Sequence, residues 1–217
     1  MRRALGAALL GSFILMMSPA VAHAHADVTS SIPRNGAQVA ITPAAITVTF
    51  GEPVTLDTQR PAIINGAGVA LASTATMSGT RLSLTPSRGL GRGNYAVTWH
   101  VISDDGHAVA GAISFTVGRP GPRGAKVALT TTPAVATVLS GRRAGPLTVT
   151  FAHAATSGEV EWTNPALPGT ITWKVVGAGR TSSATGVLPI AGTWTMTANL
   201  VGKDYSIVVL KGSTSVR

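Results

Sequence analysis

His25, Asp105 and His107 are the residues of this chain whose types and spacing can hold a metal ion. If His25 becomes the first residue of a processed chain, its α-amine and imidazole Nδ1 close one chelate ring on a single ion. An α-amine titrates at about 7.7 to 8.0 and an imidazole near 6.5, so both donors are accessible around neutral pH. Asp105 and His107, two apart in a polar connection, add a carboxylate oxygen and an imidazole nitrogen. Three nitrogens and one oxygen in a tetragonal set suit Cu(II), which also leads the affinity order of divalent first-row ions at such donors. An Asp-x-His pair also arises when the Asp only caps its own turn. Spacing alone does not bring His25 to that turn.

For His25 to lead the chain, a leader must be removed. Arg2 and Arg3, the apolar run Ala4 to Met17, Ser18-Pro19 and then small residues have the layout of a secretory signal over residues 1–24. The apolar run falls short of the roughly 18 residues a spanning helix needs, and no later segment reaches that length without polar interruption. The expected product is a soluble chain in the periplasm or on the exterior of the cell envelope. Ala22-His23-Ala24 fits the small-x-small cleavage pattern and leaves His25 first; Ala20-Val21-Ala22 and Ala24-His25-Ala26 fit it as well.

The elements that would carry Asp105 and His107 are strands. Val, Thr, Ala and Gly dominate, charges are few, and long amphipathic helical patterns are absent. With no cysteine, neither disulfides nor thiolate ligands are available. Strand-like runs at Gln38–Ile41, Ala45–Gly51, Ala62–Asn65, Val69–Ser73, Arg81–Thr85, Asn94–Ile102 and Ala112–Val117 predict an all-β, Greek-key sandwich or barrel. Gly118-Arg-Pro-Gly-Pro-Arg-Gly124 resists helix and sheet alike, which predicts a linker over 119–125 between a first domain, 25–118, and a second small all-β domain, 126–217. In the latter, runs such as Leu147–His153, Thr170–Val176 and Thr193–Leu200 repeat the strand pattern, and Trp162, Trp173 and Trp194 are expected to fill its core.

Alternation in Tyr95-Ala-Val-Thr-Trp-His-Val101 places Tyr95, Val97, Trp99 and Val101 on a core face and His100 on the other, surface face. The strand runs into Ser103-Asp-Asp-Gly-His107 and returns through Ala112–Val117, a hairpin with a polar connection. Charge is uneven: five arginines balance five carboxylates over 25–118, whereas ten Lys or Arg face three carboxylates over 119–217, a net +7. Scattered cations without interleaved aromatics are a poor nucleic-acid signature; a basic surface that only keeps the second domain in solution is the first reading, and contact with an anionic surface, lipid or wall polymer, is the alternative.

Three segments together resemble the CopC family of periplasmic copper-resistance proteins. His25-Ala-Asp-Val-Thr-Ser-Ser-Ile-Pro-Arg-Asn-Gly36 resembles the family's mature start, and Phe50-Gly-Glu-Pro-Val54 its Phe-Ser-Glu-Pro-Val element. Tyr95 to Gly111, followed by Phe115-Thr-Val117, resembles its Tyr-x-Val-x-Trp-Arg-Val-Val-Ser-x-Asp-Gly-His hairpin. The resemblance covers 25–118 and implies an immunoglobulin-like first domain, cleavage after Ala24, and Cu(II) held by His25, Asp105 and His107. It implies a non-catalytic carrier or buffer in copper resistance or uptake, with a membrane transporter of CopD type as partner. His100 stands where the family has Arg, and Glu52 lies in the second motif; either is a candidate orienting partner for a ligand. The methionine-rich Cu(I) loop of some members has no counterpart, since Met77 and Met196 lie in different halves.

Two other readings compete. A terminal-His chelate plus a second His also resembles the copper brace of lytic polysaccharide monooxygenases, but the Asp105 carboxylate would fill the position that oxygen chemistry needs open. A pair of structural or adhesive β domains needs no metal at all.

Overall fold

Short runs of alternating apolar and small polar residues become strands, and tight turns join them. The computed structural model describes residues 26–119, 126–142 and 145–216; the expected signal segment and His25 lie outside them, as does most of the expected linker. Ten strands form the first unit: β1 Val28–Ile32, β2 Ala37–Val39, β3 Ile46–Phe50, β4 Val54–Leu56, β5 Ala62–Asn65, β6 Ala70–Leu71, β7 Ser73–Ser78, β8 Arg81–Pro86, β9 Gly93–Ser103 and β10 Ala108–Val117. Nine follow: β11 Val127–Leu129, β12 Thr131–Thr132, β13 Thr137–Gly141, β14 Leu147–Phe151, β15 Ser157–Thr163, β16 Ile171–Ala178, β17 Thr181–Gly186, β18 Gly192–Val201 and β19 Ile207–Val216. The molecule is all-β, and among the described residues no helix is long and apolar enough to cross a membrane.

The first unit is a sandwich. One sheet has the order β1-β3-β8-β7, and the other is built on β9, which pairs with β10, β5 and β4. Ile46, Val48, Phe50, Leu82 and Leu84 of the first sheet meet Val97, Trp99, Val101, Ile113 and Phe115 of the second in one buried cluster. Phe50 meets the Trp99 ring edge-on, with centroids 5.9 Å apart. These are the inward residues that alternation picks out on β9. In the second unit Trp162, Trp173 and Trp194 are buried together as expected, and the Trp194 indole N–H donates to the Ile190 carbonyl at 2.9 Å.

The outward face of the β9–β10 pair differs from expectation. Ala96 and Ala112, together with Ile64 of β5, belong to the tryptophan-rich cluster of the second unit. The two units therefore meet through apolar burial as well as through the chain. β10 runs parallel to β16 with Ala112 opposite Ile171, and the Ala112 N–H donates to the Thr170 carbonyl at 3.1 Å. Contact is so close there that a side chain on Gly169, whose φ is +101°, would come within 2.7 Å of the Gly111 carbonyl oxygen. Asn35 bridges the units: its Nδ2 donates to Thr172 O at 2.7 Å while its Oδ1 accepts the Ser114 N–H at 3.0 Å. The buried Ser114 hydroxyl donates to Val187 O at 2.7 Å.

Replacing Asn35 by Ala leaves the Ser114 N–H without that acceptor beside a fully buried side chain. Asn35→Ala is expected to lower stability by about 1–3 kcal/mol in chemical denaturation; an unchanged midpoint would show that the bridge contributes nothing.

Candidate metal centre

β9 delivers Ser103 and β10 begins at Ala108, so four residues reverse the chain. Ser-Asp-Asp-Gly suits a type I turn followed by a left-handed residue, and Gly106 sits at φ +84°. The Gly106 N–H donates to Ser103 O, and the Ser103 N–H donates to His107 O, both at 2.9 Å. The turn is thereby closed from both sides, and Asp105 and His107 project from a fixed backbone.

Their side chains meet. Asp105 Oδ2 lies 3.0 Å from His107 Nδ1, and Asp105 Oδ1 accepts the Ser103 hydroxyl and, at 3.2 Å, the His107 N–H. Ser103 is buried, and its hydroxyl also reaches the His107 carbonyl at 2.9 Å. The Asp105 carboxyl is held down to about 2 from an ordinary 3.8, first by the Ser103 hydroxyl and then by the His107 N–H. Asp105 is thus an anion through the whole physiological range. The His107 side chain is 80% exposed. With Nδ1 turned to the carboxylate, Nε2 is left without a partner among the described residues. Ser103 belongs to the hairpin motif without standing out in it as a functional residue; its place at the first position of the turn is the signal that marks it.

The beginning of the described chain reaches the same end of the sandwich. The Gly51 N–H donates to Asp27 O at 2.9 Å, Val28 is opposite Phe50, and Ala26 is buried in the first core. Gly51 leads through Glu52 and Pro53 to Val54, which is opposite Ser103. Glu52, a candidate orienting partner, is half-buried, and its Oε1 is buried with no hydrogen-bond partner. A buried carboxylate oxygen without a donor is costly. This one lies in the link between Asp27 and the 103–107 turn, where a cation or a terminal amine would satisfy it.

The other candidates fall elsewhere. His100 is not the surface residue expected: it is half-buried, and its Nε2 is buried without a partner. It points from the face of β9 opposite the one carrying Trp99 and Val101, so it is not directed toward Ser103 as those residues' alternation directs the turn. His153, which has no Asp, Glu or His near it in sequence and is not a candidate ligand, is half-buried, and its carbonyl accepts the Ser182 hydroxyl at 3.0 Å. Among the described residues no three His, Cys, Asp or Glu side chains cluster to hold a metal, and Asp105 and His107 form a pair without a third such residue beside them. His25, the third predicted ligand, is outside the described residues.

A sequence model described as the CopC domain matches residues 28–118. Copper resistance protein C of Xanthomonas campestris pv. juglandis is 31% identical over 110 residues, which cover 46% of this chain and 86% of that protein. Protein YobA of Escherichia coli K12 is 32% identical over 106 residues, covering 47% and 85%. Among solved structures, CopC from Methylosinus trichosporium OB3b is 28% identical, with 43% of this chain and 93% of that one aligned at a TM-score of 0.38. PcoC, a methionine-rich copper resistance protein from Escherichia coli, is 26% identical, with 43% and 98% aligned at the same TM-score.

Because the folded pKa of Asp105 lies below its unfolded value, its contribution to stability is present above about 3.8 and is lost as pH falls toward about 2. Ser103→Ala is expected to move the Asp105 pKa up toward 3.8, read by carboxyl carbon NMR titration of the metal-free protein. A value still near 2 would remove Ser103 as the principal cause.

Proposed function

The chain belongs to the CopC family, and we propose that it is an exported Cu(II)-binding protein that carries or buffers copper in resistance or uptake. In this reading cleavage after Ala24 frees His25, whose α-amine and Nδ1 chelate the ion while Asp105 and His107 complete the plane. The single observation that carries the reading is that the Asp105–His107 turn and the strand entered from Asp27 share one end of the first sandwich, linked through Gly51 and Val54. The relatives named for copper resistance support the choice of metal.

The donors fit the ion. An aspartate already ionised gives up no proton on binding, whereas an α-amine that titrates at about 7.7 to 8.0 must lose one, so affinity is expected to rise with pH through that range. A nitrogen-rich set with one carboxylate favours Cu(II) over the softer Cu(I), which prefers thiolate and thioether ligands. The buried, unpartnered Glu52 Oε1 supports a positive charge at the same place, as a direct or hydrogen-bonded neighbour of the terminal amine. Among the described residues of the first unit Phe50, Tyr95 and Trp99 are buried in the core rather than laid out as a platform for a polysaccharide, which supports a carrier over an oxidative enzyme. A membrane transporter of CopD type is the proposed recipient or donor of the ion.

Cu(II) titration followed by electron paramagnetic resonance tests the coordination. The secreted protein is expected to show a tetragonal spectrum with nitrogen couplings. His107→Ala, or one extra residue before His25, should each weaken binding by more than about 100-fold, beyond the usual effect of disturbing an outer-shell partner. Equal affinity of the extended chain through the same nitrogens would refute the terminal chelate, and peroxide-driven polysaccharide oxidation would favour the enzymatic reading.

A further inference from the structure

The outer face of the second unit ends in a rim that the copper-binding reading does not use. β16, β15, β18 and β19 pair in that order, with Trp162 and Trp173 directed inward. On the outward side Ser157, Val201 and Ile207 form one row, Glu159, Asn199 and Val209 the next, and Glu161, Thr197 and Lys211 the third. Ile207 and Val176 are each 66% exposed and Tyr205 is 86% exposed. Large apolar side chains held in water at one edge of a sheet mark a contact surface when they gather rather than scatter.

Tyr205 is held there by the backbone. It has φ +62°, the left-handed region that glycine or asparagine normally occupies. The loop keeps it so: the Gly202 N–H donates to Ser206 O at 2.8 Å, the Tyr205 N–H donates to Gly202 O at 3.2 Å, and the Ser206 hydroxyl donates to Asp204 Oδ1 at 2.6 Å. Folding gains nothing from a tyrosine at this position, since its ring is bare to solvent and its backbone is strained. A strained, exposed aromatic residue is better explained by what it touches outside the chain.

The cations supply the sign of the partner. Lys203 lies in the same loop, Arg180 in the β16–β17 turn two strands away, and Lys211 along the Ile207–Val209 face of β19; all three are exposed. None of the three makes an ion pair among the described residues, whereas Lys174 is engaged by Glu159. Asp204, the acidic residue of the loop, is turned into hydrogen bonds from Ser206. Residues 119–217 carry a net +7.

We propose that this rim, with Tyr205 and Ile207 at its centre and Arg180, Lys203 and Lys211 around them, docks the protein onto an anionic lipid surface. Lipid is favoured over a soluble polyanion because tyrosine and aliphatic side chains partition into the headgroup boundary, where they add to charge attraction. The rim is at the far end of β16 from its contact with β10 at Ile171, so the first unit does not obstruct it. Since β10 and β16 run parallel, the 103–107 turn that precedes β10 faces away from the docked surface.

Co-sedimentation of the full mature chain with vesicles tests this. Binding is expected to phosphatidylcholine–phosphatidylglycerol vesicles, not to phosphatidylcholine alone, and to fall with added salt. Lys203→Glu should weaken it about tenfold. Tyr205→Gly combined with Ile207→Ser should also weaken it about tenfold while the melting temperature holds, because glycine relieves the left-handed strain. No binding to the anionic vesicles, or undiminished binding by the double variant, would overturn the proposal. Equal binding to soluble polyphosphate that the double variant retains would identify a polyanion, not a membrane, as the partner. None of these readouts depends on copper.

Discussion

Burial on both faces of the β9–β10 hairpin is the constraint on which the rest of the structure depends. An antiparallel pair usually keeps one face in water. Here Trp99, Val101 and Phe115 fill the sandwich core, while Ala96 and Ala112 enter the core of the second unit. A slip of one residue would exchange the two sets, setting large rings against a surface fitted to alanine. The register is therefore fixed from two sides. Buried polar groups agree with it, since Ser114 reaches Val187 O and Asn35, and Thr116 reaches Asn94 Oδ1 at 2.9 Å.

A hairpin so held presents its end turn as a rigid object. Ser103, buried at the end of β9, donates to Asp105, and Asp105 in turn holds His107. Each contact constrains the next from the core outward, so the exposed imidazole does not depend on its own packing for orientation. Such an arrangement lowers the entropy a metal must overcome on binding. It also explains why a serine without any ligand role matters to the candidate site.

Charge is divided along the molecule in a way that serves both proposed contacts. Asp27, Glu52, Asp104 and Asp105 lie in or next to the segments that form the metal end, while the excess of Lys and Arg belongs to residues 119–217. A cation approaching the first unit meets a locally negative field, and an anionic surface is attracted to the second. Had the positive charge been spread evenly, each partner would be opposed where it is to bind.

Alternation, turn chemistry and composition in the sequence determined the all-β class, the inward face of β9, the three core tryptophans and the Ser-Asp-Asp-Gly-His turn, because each is a local pattern whose period equals its structural cause. Strands β1, β4, β7, β13 and β17 are not legible in that way: β4 and β13 are short, and Val-Thr-Ser-Ser-Ile, Ser-Thr-Ala-Thr-Met-Ser and Thr-Ser-Ser-Ala-Thr-Gly carry few large apolar side chains. β1 and β7 are sheet edges, and β17 brings Gly186 against Trp173, where small residues are required. Only the tertiary structure decided that the outward face of β9 is covered, that His100 is half-buried, that Glu52 has an unpaired oxygen, and that Asp27 and Ser103 share an end. Those facts arise from contacts between segments tens of residues apart, and a pairing of that kind leaves no period in the chain by which it can be read.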